Sequence, residues 1–330
     1  THRYRFEPQE VSVERGDSLH EANGDAVGSV VNVDLFAWTV DIRKRADTVD
    51  VHPSSVFAHE YFNPDPMPES LVALAKDVLG CHAHGATPTS ARYDLLVGAA
   101  PSLESLRLPL SGDSQDAALS LVQDLNQGVL AIQGPPGTGK THVGSRLIVE
   151  LARQGKRVGV TAVSHKVIAN LLGRTRDASS GSVTIAHRQD GRDSDELAED
   201  CERLRSTAKV HDALNEGKVV GGTAWLWSKP ELEGELDYLF VDEAGQMSLA
   251  MALAAGRGAK NLVLLGDPQQ LEQPQRGSHP EGTEIAALKH LLRGKETIAP
   301  DRGLFLDETW RLHPRICKFT SEQYYDGRLN

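Results

Sequence analysis

Residues 134–141, GPPGTGKT, fit the spacing G-x-x-x-x-G-K-[ST], which curls a backbone so that its N–H groups converge on phosphate oxygens. Gly134, Gly137, Thr138 and Gly139 form the cradle in this reading. Lys140 bridges the β- and γ-phosphates of ATP, and Thr141 sets its hydroxyl on Mg²⁺. The apolar run VLAIQ precedes the loop and the helical pattern HVGSRLIVELARQG follows it, so the loop opens onto a helix N-terminus whose dipole favours anions. A chance Gly/Pro-rich turn would not need those flanks. About a hundred residues later, Leu239, Phe240 and Val241 lead into Asp242 and Glu243. Two carboxylates ending a buried strand are unfavourable unless they hold a cation or polarise a water. Asp242 is therefore assigned to Mg²⁺ through its water shell, and Glu243 to the attacking water as general base.

Other side chains offer chemistry with a weaker pattern. Within residues 140–176, eight Lys or Arg face one acid, Glu150. Such an excess could track nucleic-acid phosphates, although each cation would equally suit a solvated helix face. Trp225 and Trp227 could stack on bases, but alternation at a strand exit more often serves packing. Cys81, His82 and His84 could ligate a metal, yet adjacent side chains rarely converge on one ion and no second pair lies nearby in the sequence. No spaced Asp/Glu/Lys set points to a nuclease.

Placing these groups requires a sheet. After about residue 112, apolar runs at 129–133, 157–163, 218–222, 239–241 and 261–265 alternate with helical segments, which predicts a parallel sheet covered by helices. The polar stretch 174–216 reads as an excursion, with a helix over 195–214. Upstream, the runs 28–40 (GSVVNVDLFAWTV) and 48–57 are broken by Gly, Asn, Asp and Pro, as in a small antiparallel sheet or barrel. Apolar spacing over 68–80 (PESLVALAKDVLG) predicts a helix. The expected division is a small β accessory module at 1–66, a helical stalk or linker at 67–111, and an ATPase domain at 112–330.

Composition narrows the class. At 39% hydrophobic and 25% charged residues, the 330-residue chain is neither disordered nor fibrous, and its length allows roughly two domains. No stretch approaches the ~18–20 apolar residues of a membrane span, and the polar start lacks a signal peptide's regions; a cytoplasmic protein without membrane contact is expected. Three distant cysteines suit reduced thiols. A net charge of −11 means that any nucleic-acid contact must be local.

With DEAGQ at 242–246 and GDPQQL at 266–271, the chain resembles superfamily 1 DNA/RNA helicases, in the branch containing the nonsense-mediated-decay helicase and Dna2. Ser114 and Gln115 resemble the family's Q motif, whose glutamine reads the adenine edge. Residues 161–171 (TAVSHKVIANL) resemble motif Ia, which holds the nucleic-acid backbone, and Gly222-Thr223 resembles a further strand-contacting motif. Residues 310–314 (WRLHP) resemble the family's YRMHP. The resemblance covers roughly residues 110–330, and it implies a RecA-like P-loop NTPase fold with a β-barrel-like accessory module. The opening YRFEPQE resembles bacterial proteins in which a RecB-like nuclease is fused to such a helicase.

In functional terms the resemblance implies that Gln246 and Gln270 sense the γ-phosphate, that Arg311 reaches a phosphate, and that Trp310 stacks near the adenine. It places Ser164, His165, Lys166 and Thr223 on a single strand of nucleic acid, with DNA ahead of RNA and 5′ to 3′ polarity. Three departures stand out: Trp310 replaces the family's Tyr, Thr309 replaces a Gln and removes a polar contact, and Glu272-Gln273 replace Pro-Pro. The chain ends at Asn330, where the second RecA-like domain with its arginine finger is expected. Residues 1–330 are therefore expected to bind Mg-ATP and strand but to hydrolyse barely above background. Alternatives are a nucleotide-dependent binding module that does not translocate, and a protein-remodelling P-loop ATPase.

Overall fold

The apolar runs that lie between Gly, Asp and Asn residues become strands, and from β6 onward every strand pairing among the described residues is parallel. The computed structural model describes residues 1–58, 63–109, 114–189, 198, 200–271 and 284–330. Within them the chain divides into two compact units, Thr1–Asn63 and Pro64–Asn330.

The first unit is an antiparallel sheet of β1 (His2–Arg5), β2 (Ser18–His20), β3 (Ala26–Asp34), β4 (Thr39–Arg43) and β5 (Phe57–Ala58), in the order β1-β4-β3-β2-β5. The run 28–40 makes a hairpin, because Asp34 Oδ1 accepts from the N–H groups of Phe36 and Ala37 and closes the turn. Leu19, Val27, Val30, Val40 and Ile42 form its core. The run 48–57 joins the sheet only at Phe57; Pro53 within it has no N–H to give to a ladder.

The second unit centres on eight strands in the order β13-β6-β12-β11-β7-β10-β8-β9. These are β6 (Val129–Gln133), β7 (Val158–Thr161), β8 (Ile185–Arg188), β9 (Glu202–Leu204), β10 (Val219–Gly221), β11 (Leu236–Val241), β12 (Ala259–Gly266) and β13 (Gly303–Phe305). Period-two alternation sends their side chains to opposite faces. Ala131, Leu239, Val241, Leu262 and Leu264 pack on one face; Leu130, Ile132, Tyr238, Phe240, Val263 and Leu265 pack on the other. Both faces are buried, so the strands read as continuous apolar runs. Trp227 lies in this core at 0% exposure, its indole N–H shared between the carbonyls of Val160 and Gly222. Its role is packing, not base stacking.

The helices cover the sheet. In chain order they include α1 (Met67–Ala83), α2 (Ala91–Val97), α3 (Ser114–Asp124), α4 (Lys140–Arg153) and α5 (His165–Ala178), followed by α6 (Thr207–Asn215), α7 (Ala224–Trp227), α8 (Leu249–Ala255), α9 (Ala287–Leu292) and α10 (Pro314–Tyr324). The segment 67–111, expected as stalk or linker, belongs to the second unit. Buried Arg92 of α2 donates to the Leu253 carbonyl of α8 and the Ser70 carbonyl of α1, and Ser70 Oγ donates to the Ala254 carbonyl. The helix expected over 195–214 is corrected. Residues Glu202–Leu204 pair in parallel with β8, and α6 starts only at Thr207, where Ser206 Oγ caps it by accepting from Lys209 N–H. Short alternating segments suit an edge strand, and a helical pattern over polar residues does not distinguish them. The rest of that stretch, 190–197 and 199, lies outside the described residues, as do Glu272 and Gln273.

Candidate functional site

In a parallel sheet the loops that follow strands gather at one edge, the usual place for a ligand. Strands β13, β6, β12 and β11 are neighbours, so the loops carrying residues 134–141, 242–246, 267–270 and 309–311 share that edge. In the phosphate loop, Gly137 and Gly139 have φ of +84° and +81°, a region closed to most residues. Thr138 Oγ1 donates to the Pro135 carbonyl at 2.8 Å, and Lys140 Nζ donates to the Gly134 carbonyl at 2.7 Å. Thr141 sits half-buried in the first turn of α4.

Asp242 is 2% exposed. Burial, with the charge of Glu243 beside it, pushes its carboxyl up from 3.8 to about 7, against the Glu243 N–H bond and the Lys140 charge, which pull it down. Glu243 holds a left-handed backbone, φ +53°, and its Oε2 is buried with no hydrogen-bond partner among the described residues. A left-handed non-glycine residue costs about 1–3 kcal/mol and persists where its surroundings impose it. Two crowded carboxyls short of positive charge, with a hydroxyl from Thr141 on the same edge, fit a hard divalent cation such as Mg²⁺.

The nearby loops interlock. Ala244 N–H donates to the Leu265 carbonyl, and Gly134 N–H to the Gly266 carbonyl. A β-carbon added at Gly245 would lie 2.4 Å from the Asp267 carbonyl oxygen, and one at Gly266 would lie 2.7 Å from Gly245 N. Asp267, 1% exposed, accepts from Tyr325 Oη at 2.8 Å and from Gln270 Nε2 at 3.3 Å. Gln246 N–H donates to the Glu243 carbonyl. Asp267 and Tyr325 were not singled out from the sequence, although GDPQQL and the QYYDG run contain them.

The WRLHP segment lies on the phosphate loop. Trp310 N–H donates to the Gly137 carbonyl at 3.1 Å while its ring is 76% exposed. A β-carbon at Gly137 would meet Arg311 Cβ at 2.5 Å. Thr309, expected to lose a polar contact, instead donates from Oγ1 to the Pro136 carbonyl at 2.9 Å. Gln115 Oε1 accepts from Arg146 Nη1 of α4 at 2.7 Å.

Beside this region, strands β7 and β10 are neighbours, so Ser164, His165 and Lys166 share an edge with Thr223. Asp242 N–H donates to the Thr161 carbonyl at 2.9 Å and links the two regions. Ser164 caps α5, its Oγ accepting from Val167 N–H; its hydroxyl can still donate to a ligand oxygen. Lys166 is exposed. The basic run does not form one patch. Arg157 immediately precedes β7 at the opposite edge and bonds Glu235 and Asn215, and Arg176 lies in the last turn of α5 paired with Asp200. His165 Nδ1 lies 3.0 Å from Nε2 of His187, a residue with no signal in the linear sequence. In the CHAH run, Cys81 and His82 end α1, and His84 Nδ1 lies 2.8 Å from the Gly80 carbonyl.

A parallel sheet with a glycine-rich phosphate loop and an acidic pair, one member of it buried, at one edge defines a RecA-like P-loop NTPase. Residues 111–300 match the AAA domain family. The chain belongs to that family, and its sequence groups it with superfamily 1 helicases of the nonsense-mediated-decay/Dna2-like branch. It is 23% identical over 247 residues to DNA polymerase alpha-associated DNA helicase A of Schizosaccharomyces pombe, covering 60% of this chain and 36% of that protein. With DNA replication ATP-dependent helicase/nuclease DNA2 of Xenopus laevis it shares 25% over 241 residues, covering 67% and 22%. With ATP-dependent helicase NAM7 of Saccharomyces cerevisiae it shares 28% over 254 residues, covering 66% and 25%. The chain thus spans little more than a third of the first relative's length and less of the others. Among the described residues no helix is long and apolar enough to cross a membrane.

The raised Asp242 carboxyl has a measurable consequence. As pH rises from about 4 to 7, the unfolded chain releases this proton first, so folded stability falls and stays low above pH 7. Asn cannot ionise. Without Mg²⁺ or nucleotide, Asp242→Asn therefore raises the melting temperature above pH 7, and the gain fades toward pH 4. At ~1.4 kcal/mol per pKa unit, the gain is at most about 4 kcal/mol. Thermal melts at pH 4.5 and 8 check it; equal differences at both would refute the raised carboxyl.

Proposed function

We propose that this chain is the ATP-driven core of a motor that moves along single-stranded nucleic acid, DNA in preference to RNA. The observation that carries this reading is the adjacency of the two loop groups: phosphate and acid loops after β13, β6, β12 and β11, and residues 164–166 and 223 after β7 and β10. The bond from Asp242 N–H to the Thr161 carbonyl joins them. The preference for DNA is supported by two relatives named as DNA helicase and DNA replication helicase/nuclease.

In this reading Gly134, Gly137, Thr138 and Gly139 cradle the phosphates with backbone N–H groups, and Lys140 neutralises the β- and γ-phosphates. Thr141 and Asp242 would hold Mg²⁺, which when bound would supply positive charge beside the phosphates. Glu243 takes a proton from the attacking water, which adds to the γ-phosphorus as the β–γ bridging bond breaks. Gln246 and Gln270 sense the terminal phosphate. Trp310 stacks at the base, Gln115 reads its edge, and Arg311 reaches a phosphate oxygen. A second RecA-like domain would close on the nucleotide, and these 330 residues alone turn ATP over slowly because Lys140 and Arg311 are the cations they bring to the phosphates.

Single-stranded DNA binds through few phosphates, so affinity falls steeply with salt, by a log–log slope of about −0.7 per phosphate neutralised. Lys166→Glu makes that slope shallower by about 0.7 or more and weakens binding at low salt. Fluorescence anisotropy over a salt series measures both. Unchanged low-salt affinity would place the strand elsewhere.

A further inference from the structure

We propose that Tyr325 is a positioning residue for hydrolysis: its hydroxyl holds the buried Asp267 carboxylate, so that the side-chain amide of Gln270 can leave that carboxylate for the terminal phosphate. The inference rests on the reading of Gln270 as the group that senses this phosphate. Asp267 is 1% exposed, and among the described residues its side chain accepts three bonds. Tyr325 Oη donates to Oδ2 at 2.8 Å, Gln270 Nε2 donates to the same oxygen at 3.3 Å, and Gln269 N–H donates to Oδ1 at 3.2 Å. The phenol bond is the short one, and the Gln270 bond lies beyond the ordinary range of about 2.7–3.2 Å.

Tyr325 is fixed in place. It caps the C-terminal end of α10 at 3% exposure, its ring tilted by 50° against Phe305 of β13 with centroids 6.0 Å apart. The turn after it is tied down, since Asp326 Oδ2 accepts from Thr297 Oγ1 at 2.8 Å and Arg328 Nη1 donates to the Ile298 carbonyl at 2.8 Å. Residues 296–298 are braced in turn on β6. Gln133, 0% exposed, accepts at Oε1 from Ile298 N–H at 2.7 Å and donates from Nε2 to the Glu296 carbonyl at 3.1 Å. Gln269 Nε2 donates to the same carbonyl at 3.1 Å. One brace therefore joins the strand leading into the phosphate loop, the 267–270 loop and the turn that carries Tyr325. Burial, with the Asp267 charge beside it, holds the Tyr325 phenol well above its ordinary range, so its proton stays on oxygen.

Gln270 is held more loosely. It is half-buried, its N–H donates to the Asp267 carbonyl at 3.3 Å, and its amide reaches only Asp267 among the described residues. Turning that amide onto a phosphate oxygen in front of residues 134–141 takes it off Oδ2. What the move costs depends on what Oδ2 keeps. With Tyr325 in place, the oxygen retains a short charge-assisted bond, the stronger kind. Without the hydroxyl, it would be a buried charged acceptor with no partner, which costs more than a lost neutral bond. Gln270 would then stay on Asp267, and hydrolysis would slow with the phosphate cradle untouched.

Single-turnover hydrolysis with the chain in excess over labelled ATP tests this. Tyr325→Phe keeps the ring and loses the hydroxyl, and the rate should fall by about 5- to 150-fold, the range set by orphaning a buried polar group. Mg-ADP affinity by calorimetry should be unchanged, because ADP has no terminal phosphate for Gln270 to meet. Replacing Tyr325 by 4-aminophenylalanine, which returns a donor to the same place, should recover most of the rate; a role in packing alone would treat the two replacements alike. Gln270→Ala should slow hydrolysis, and adding Tyr325→Phe should slow it no further. A Tyr325→Phe rate equal to wild type while Gln270→Ala is slow overturns the proposal, and so does a double variant slower than Gln270→Ala by the full Tyr325→Phe factor. Gln270→Ala at the wild-type rate instead removes the reading of Gln270, and the positioning role with it. Wild type gives an independent check in ¹H–¹⁵N spectra, with Gln270→Ala for assignment. The Gln270 side-chain amide signals should stay put with Mg-ADP and move when beryllium fluoride, a terminal-phosphate mimic, is added. Signals that ignore the mimic overturn the exchange, whether or not Tyr325→Phe folds.

Discussion

Replacing Lys140 by Ala weakens Mg-ATP binding by about 10- to 150-fold, the loss expected when charge-assisted hydrogen bonds worth about 1.5–3 kcal/mol are removed. The effect falls on the ligand and spares the fold. The loop's shape comes from the left-handed backbone at Gly137 and Gly139 and from the Thr138 bond to Pro135, none of which involves the lysine amine. What the substitution removes inside the protein is one donor to the Gly134 carbonyl. Titration calorimetry on the folded variant reads the change. Equal affinity for variant and wild type would mean that residues 134–141 do not hold phosphates.

Glu243→Gln has the opposite signature, with nucleotide binding retained and hydrolysis lost. The amide is nearly isosteric with the carboxylate and can occupy the same left-handed backbone, while Asp242 is untouched and still available to the cation. An amide cannot take a proton from water at neutral pH, and general-base catalysis of this kind contributes about 10²–10⁴-fold. Single-turnover hydrolysis with the chain in excess over labelled ATP makes such slow rates readable. Should Gln at 243 abolish binding instead, the roles of the two carboxylates would have to be exchanged.

Local signals were legible in the sequence, and long-range partnerships were not. Residues 134–141 and 239–243 each combine an apolar run with its loop in one stretch, so strand, loop and chemistry can be read together. The sheet was legible for the same reason, since Leu239 to Val241 and Leu262 to Leu265 bury both faces and carry no polar interruption. Edge strand β9 was not, because three alternating residues resemble one turn of a polar helix. The basic run failed as a patch for a topological reason: helices and strands carry it from one sheet edge to the other, so Arg157 meets Glu235 at the edge away from His165. Thr309 and Pro136 lie 173 residues apart, and Tyr325 and Asp267 lie 58 apart. No spacing rule brings such pairs together. The Trp227 indole illustrates the converse, since a tryptophan at a strand exit has the composition of a base-stacking residue and only the packing assigns it to the core.

The interlocked backbones at Gly137, Gly245 and Gly266 also bear on mutational drift. A library that samples all substitutions at these positions would find no small step away from glycine, because even a methyl would lie 2.4–2.7 Å from atoms of another loop: Arg311 Cβ, the Asp267 carbonyl oxygen or Gly245 N. Two of the three obstacles are backbone atoms, which no second-site side-chain change can remove. Drift at this edge therefore has to be paired or absent: a viable substitution at 245 demands a loop rearrangement at 266–268, and one at 137 demands it at 309–311. Double-variant selection should recover such pairs and few singles, so that loops distant in the chain behave as one genetic locus.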